Sequence, residues 1–148
     1  MQRYIDEIVR TSVKPQSNSS ILFNPRFMEW NDCILLDMGE KNDLPQEFVA
    51  DSIIHDRTGF EASENHLHIN DFISTNEPYQ LLHVGLDVMR IWGTELKREY
   101  PDAPFHLILS FDGDECVVRF HVYRIAEGAW INLDSLDKYN EGLMLEEI

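Results

Sequence analysis

Basic side chains are scarce in this sequence. Its 148 residues contain 12 Lys and Arg against 27 Asp and Glu, for a formal net charge of -15. Such an excess of negative charge repels the phosphates of nucleic acids and of anionic membranes and attracts cationic partners. We therefore expect no direct binding to nucleic acid or membrane, and a basic protein as partner.

Cysteine is also scarce. The two cysteines, Cys33 and Cys116, have no metal-ligand spacing, and each lies in a strand-like apolar segment. Such cysteines are usually buried free thiols and act as neither disulfide partners nor nucleophiles. No bound cofactor is expected.

Long apolar runs are missing. The longest, such as residues 33–36 and 107–109, are far too short to span a bilayer, and acidic residues interrupt the first ten positions. This pattern predicts a cytoplasmic protein. The sequence also has no G-x-S-x-G, P-loop or G-x-G-x-x-G motif, so we expect a protein that is not an enzyme.

The residues that are present predict one α+β domain over residues 1–148. Hydrophobic residues make up 43% of the chain, enough for a proper core. Residues 76–100 have a wide apolar stripe at helical spacing, and Pro101 ends this predicted helix. The stripe contains Leu81, Val84, Val88, Trp92 and Leu96. We expect this long helix to pack on a mainly antiparallel sheet.

The sheet is predicted from several short segments. Residues 105–111 and 115–123 form a hairpin, and a two-residue turn at Asp112-Gly113 would pair Leu109 with Cys116. Further strands are predicted at residues 32–37, 66–69 and 143–145, with a short helix near residues 133–139. Residues 45–55 fit neither pattern clearly.

One face of the hairpin carries chemistry suited to an interface. Arg119, His121 and Tyr123 combine aromatic and cationic groups in an otherwise acidic protein. Their face is too polar for a second core, so we expect it to be partly solvated. Trp30 and Trp130 are predicted as further aromatic anchors for a partner.

A metal site is an alternative. His66 and His68 would lie on the same face of a strand, and imidazole pairs bind zinc or iron. No third ligand follows from the spacing, so a polar outer strand face is the favoured explanation of the pair.

Several segments resemble a family of small acidic bacterial proteins, some of them found beside polymorphic or contact-dependent growth inhibition toxins. They are NHLHINDFI at residues 65–73, ELKREYPD at 95–102, VRFH at 118–121, WI at 130–131 and LDKY at 136–139. The similarity covers roughly residues 60–148 and implies an immunity protein. The family's motifs carry no catalytic residues to transfer.

Together, the resemblance and the acidity predict a non-enzymatic immunity protein that binds and neutralises a cognate toxin domain, a basic nuclease. Two alternatives stay open: a small metal-dependent enzyme built on His66 and His68, and an acidic mimic of nucleic acid. Mimicry of nucleic acid needs acidic residues lined up along one face, but here they are dispersed along the chain. This distribution favours the immunity protein over the mimic.

Overall fold

A four-stranded antiparallel sheet with one long helix on its face forms the centre of the protein, which confirms the α+β prediction. The computed structural model describes residues 14–15, 20–39, 43–75 and 77–148. In chain order, the elements are β1 (Lys14–Pro15), α1 (Ser20–Phe23), β2 (Phe27–Trp30), β3 (Cys33–Leu36), α2 (Arg57–Glu64), β4 (Leu67–His68), β5 (Ile73–Ser74), α3 (Pro78–Glu99), β6 (Phe105–Phe111), β7 (Cys116–Val122) and β8 (Gly142–Glu147), with 3-10 helices at Ile69–Asp71 and Leu133–Lys138. The strand order in the central sheet is β4-β7-β6-β8, and β1-β5 and β2-β3 form separate two-stranded pairs.

Helix α3 matches the predicted helix closely. It begins with Pro78, whose fixed φ suits a first helical position, and Lys97 and Arg98 lie in its last turn. Asn76, at the start of the predicted range, lies outside the described residues. Gly85 allows the helix to approach the sheet closely, because a Cβ there would overlap the Sγ atom of Cys116. The apolar stripe is buried as expected.

The β6–β7 hairpin is present, but the predicted register is wrong by two residues. Leu109 pairs with Val118, and Phe111 pairs with Cys116. The Asp112 carboxylate accepts hydrogen bonds from the backbone N–H groups of Asp114 and Glu115, at 2.9 and 2.8 Å, and so supports a four-residue turn. A shift of two residues leaves every side chain on its predicted face.

A second, tighter hairpin joins β2 to β3. Its two turn residues, Asn31 and Asp32, have φ angles of 48° and 63°, in the left-handed region that Asn and Asp tolerate best among residues with a side chain. The predicted strand at residues 32–37 is therefore confirmed as Cys33–Leu36, with Asp32 in the turn. Strand β2 was not predicted.

Helix α2 attaches this hairpin to the central sheet and was also not predicted. Its Glu61, fully buried, accepts the N–H of Ile34 at 2.7 Å and the N–H of Val122 at 2.7 Å. Arg124 donates two hydrogen bonds to the same carboxylate, at 2.8 and 2.9 Å. Asn65, also buried, accepts the N–H of Leu36 at 2.8 Å. These side chains supply the partners that edge strand β3 would otherwise lack.

The remaining predictions fare differently. Residues 45–55 form neither helix nor strand, the helix near residues 133–139 is a 3-10 helix, and the final strand is longer than predicted. Both cysteines are buried and unpaired, and burial raises the pKa of each thiol to about 12, which keeps it protonated. None of the helices in the described part of the chain has the length and apolarity needed to cross a bilayer.

Candidate functional site

Strand β7 brings the predicted residues Arg119 and His121 onto the sheet face opposite α3, and Tyr123 follows just beyond the strand. The expectation of a partly solvated face holds only for Arg119 and Tyr123, which are partly exposed. Most of its side chains are nevertheless buried. Tyr123 stacks on His106 and Trp130 on Arg119, and α2 also contacts this face through the Ala62 carbonyl. The buried members are His106, Ile108, Ser110, Val117 and His121.

Arg119 lies at the centre of the candidate site. Its guanidinium stacks on the Trp130 ring, with 4.3 Å from Cζ to the ring centroid, and donates a hydrogen bond to the Ala62 carbonyl at 3.3 Å. That carbonyl belongs to the last turn of α2, where backbone acceptors lack helical donors and a cation is favourable. The strand thus holds the guanidinium between a helix end and an aromatic ring.

A cavity of about 210 Å³ opens beside Arg119. Charged and polar groups lie next to apolar walls from β6, β8 and the covering segment. The lining residues are Ile108, Ser110, Arg119, Trp130, Ile131, Tyr139, Glu141 and Leu143. Trp130 and Tyr139 remain 42% and 39% exposed, so both rings can also contact a partner.

His121 pairs across the hairpin with His106, and both imidazoles are buried. His121 contacts the Val122 carbonyl through Nδ1 at 2.9 Å, and His106 contacts Glu147 through Nε2 at 3.3 Å. The second nitrogen of each ring, Nε2 of His121 and Nδ1 of His106, has no hydrogen-bond partner among the residues that the structure describes. Burial lowers the pKa of His121 to about 4 and also lowers that of His106, so both are neutral at pH 7.

Tyr123 covers this histidine pair. Its ring stacks on His106 with 4.6 Å between the ring centroids. His121 is fully buried and contributes nothing to the accessible surface, so its role at the candidate site is to support the neighbouring side chains by packing.

Trp30, the remaining predicted anchor, lies apart from this group in the β2–β3 hairpin. Its Nε1 donates to the Pro45 carbonyl at 3.0 Å, and its ring packs on Phe60 at 4.9 Å. It borders a separate cavity of about 400 Å³ that also contains Glu29, Asp32 and Arg124.

The two histidines of the predicted metal pair lie close together. The His66 and His68 rings lie 5.5 Å apart, His66 contacts the Ser63 carbonyl, and His68 lies 3.3 Å from Glu115. Across the described ranges, no group of three or more His, Cys, Asp or Glu side chains could hold a metal ion.

Sequence reasoning missed His106, Tyr139 and Glu141 as parts of the site. His106 could have been found from its cross-strand partner His121, since strand pairing places them opposite each other. Tyr139 and Glu141 lie in an irregular segment, where no periodicity indicates which way a side chain faces.

Comparison with known proteins gives one match. A family model described as the Uncharacterized protein PM0498 family matches residues 1–148, and the chain belongs to that family. No curated protein and no solved structure matches the chain.

Proposed function

We propose that this member of the PM0498 family is a non-enzymatic immunity protein that acts in the cytoplasm and neutralises a cognate toxin domain, a basic nuclease. The observation that carries the proposal is an exposed aromatic pair, Trp130 and Tyr139, on a strongly acidic protein. Aromatic side chains anchor protein interfaces, while opposite net charges accelerate association and favour the correct partner.

The anchor is held ready for binding. Trp130 is fixed against Arg119, and the Tyr139 hydroxyl accepts a hydrogen bond from the Asn132 backbone at 3.3 Å. A ring already held in place loses little conformational freedom when a partner covers it, so more of the contact energy contributes to affinity. We assign these two rings as the centre of the interface.

The surrounding charge supports a basic partner. The net charge of -15 creates a negative potential that attracts a cationic protein over a distance of about 10 Å at 0.1 M salt. A nuclease domain that binds phosphates carries a positive surface of this kind. An inhibitor need contain no catalytic group, in keeping with the buried, protonated thiols.

Co-expression with a candidate toxin domain, such as the product of an adjacent gene, tests the proposal. We expect the wild-type protein to restore growth and to bind the purified toxin domain one-to-one, with an association rate that falls as salt rises. Trp130→Ala should weaken binding by at least about tenfold, as expected for a central aromatic anchor.

Tyr79→Ala is the matched control, because Tyr79 is 72% exposed but lies at the start of α3, away from the site. It should bind like the wild type. Continued growth arrest in cells that contain both proteins, or equal loss of binding in the two variants, would rule out the proposed interface and role.

A further inference from the structure

The cavity beside Arg119 combines charges of opposite sign with apolar walls. Arg119 and Glu141 both line it, and the Ser110 hydroxyl group lies on the same wall as Ile108. Ile131 and Leu143 supply further apolar surface. The cavity therefore offers both a cation and an anion to the same small molecule.

The guanidinium of Arg119 lacks a carboxylate partner within the described ranges. It forms no ion pair with any carboxylate in the described portion of the chain, although the sequence has 27 acidic residues. A guanidinium has five N–H donors, and the one described hydrogen bond of Arg119 goes to a backbone carbonyl. Other N–H groups are therefore available to a ligand. A partly buried cation with free donors favours a carboxylate, which can accept two parallel hydrogen bonds.

Glu141 lies near the cation without touching it. Burial, the larger effect, lowers the pKa of Arg119, and the negative charge of Glu141 opposes that change. The exposed Glu141 carboxylate can therefore receive a second, positively charged group of a ligand whose carboxylate contacts Arg119.

We propose that this cavity binds a free α-amino acid with a compact apolar side chain. The ligand carboxylate contacts Arg119 and Ser110, and its ammonium group contacts Glu141. Its side chain packs against Ile108, Ile131 and Leu143, which makes leucine the natural probe.

The size of the cavity supports this ligand class. At about 30 Å³ for each water molecule, 210 Å³ corresponds to about seven waters. Drug-sized ligands and cofactors occupy cavities of about 300 Å³ or more, so a nucleotide is too large. A molecule of leucine's size fits this volume.

Isothermal titration of the full chain with leucine and three analogues tests the assignment. Removing the ammonium group gives 4-methylpentanoate, and removing the carboxylate gives 3-methylbutylamine. N-acetylleucine retains the carboxylate but blocks the amine, as in the C-terminal residue of a peptide. We expect leucine to bind at least about tenfold more tightly than each analogue, because each loses one charged contact.

Variants then locate the site. Arg119→Gln and Glu141→Gln should each weaken leucine binding by at least about tenfold, and Arg90→Gln, an exposed change on α3, should not alter it. Arg119→Gln also removes the contact to the end of α2, so its unfolding must be measured in parallel. If that variant does not fold, exposed Glu141 and the analogue series decide the question.

No heat of binding for leucine, or equal affinity for leucine and N-acetylleucine, would overturn the assignment of a free amino acid. Unchanged leucine affinity in Glu141→Gln would do the same. These experiments use the chain alone, so their outcome is independent of toxin neutralisation.

Discussion

Acid should destabilise the fold through the buried histidine His121. Its pKa is about 4 in the folded protein, against 6.5 for an ordinary histidine, because burial disfavours the imidazolium. The unfolded chain therefore binds a proton more readily. The contribution of His121 to the free energy of unfolding is therefore fully present above about pH 6.5, decreases as the pH falls below that value, and is lost once the pH has fallen through the folded pKa of about 4.

The magnitude follows from the shift. Between about pH 7.5 and pH 5.5, this one residue should cost about 1.4 kcal/mol of unfolding free energy, and the loss approaches about 3 kcal/mol below pH 4. Solvent does not weaken this effect, because the His121 side chain is fully buried. The pKa of His106 is also lowered by burial, so this residue adds to the loss of unfolding free energy at acid pH. The measurements should stop near pH 5.5, because the protein has little net charge near its pI of about 4.6 and low net charge favours precipitation.

Urea unfolding of the wild type and of His121→Phe at both pH values measures the effect. The variant removes the titrating group, so its free energy of unfolding should depend less on pH by about 1.4 kcal/mol, whatever its absolute stability. Exposed carboxylates titrate alike in both proteins and cancel in the comparison. Equal pH dependence in wild type and His121→Phe would refute the reasoning.

Two further substitutions test how the elements are joined. Glu61→Ala should destabilise the protein by about 3–5 kcal/mol in urea unfolding, because Arg124 then stays partly buried without its carboxylate; a loss under about 1 kcal/mol would contradict this role. Gly85→Ala should lower the melting temperature despite alanine's higher helix propensity, since the added Cβ would overlap Cys116. Gly93→Ala is its matched control: there a Cβ finds its nearest neighbour at 3.6 Å, so the melting temperature should hold or rise, and equal effects of the two changes would argue against close packing at Gly85.

The best-predicted elements are those whose sequence pattern reflects contact with a single neighbouring element. The stripe of α3 repeats over 22 residues, so a single apolar surface explains it. The β6–β7 hairpin was found because both strands are apolar and a Gly lies between them. Its register failed because the choice between a two-residue and a four-residue turn depends on the hydrogen bonds of the Asp112 carboxylate.

Helix α2 was missed for a related reason. It has only eight residues, includes Gly59, and buries Glu61, which sequence patterns assign to a solvated face. The carboxylate is buried because it satisfies backbone groups of two separate strands and pairs with Arg124. Such a partnership joins residues up to 63 positions apart, and no local pattern encodes it.

The misjudged polar face of the sheet shows why the candidate site was only half predictable. Strand alternation correctly placed Arg119 and His121 on one face, but alternation reports the chemistry of a face and not what covers it. The cover is an irregular segment containing Trp130 and Tyr139. Its contacts hold the Arg119 guanidinium of β7 beside a cavity, and its aromatic rings remain exposed at the surface. Both proposals depend on that contact between a regular strand and an irregular segment, so disrupting the segment should abolish partner and ligand binding while leaving α3 packed on the opposite face.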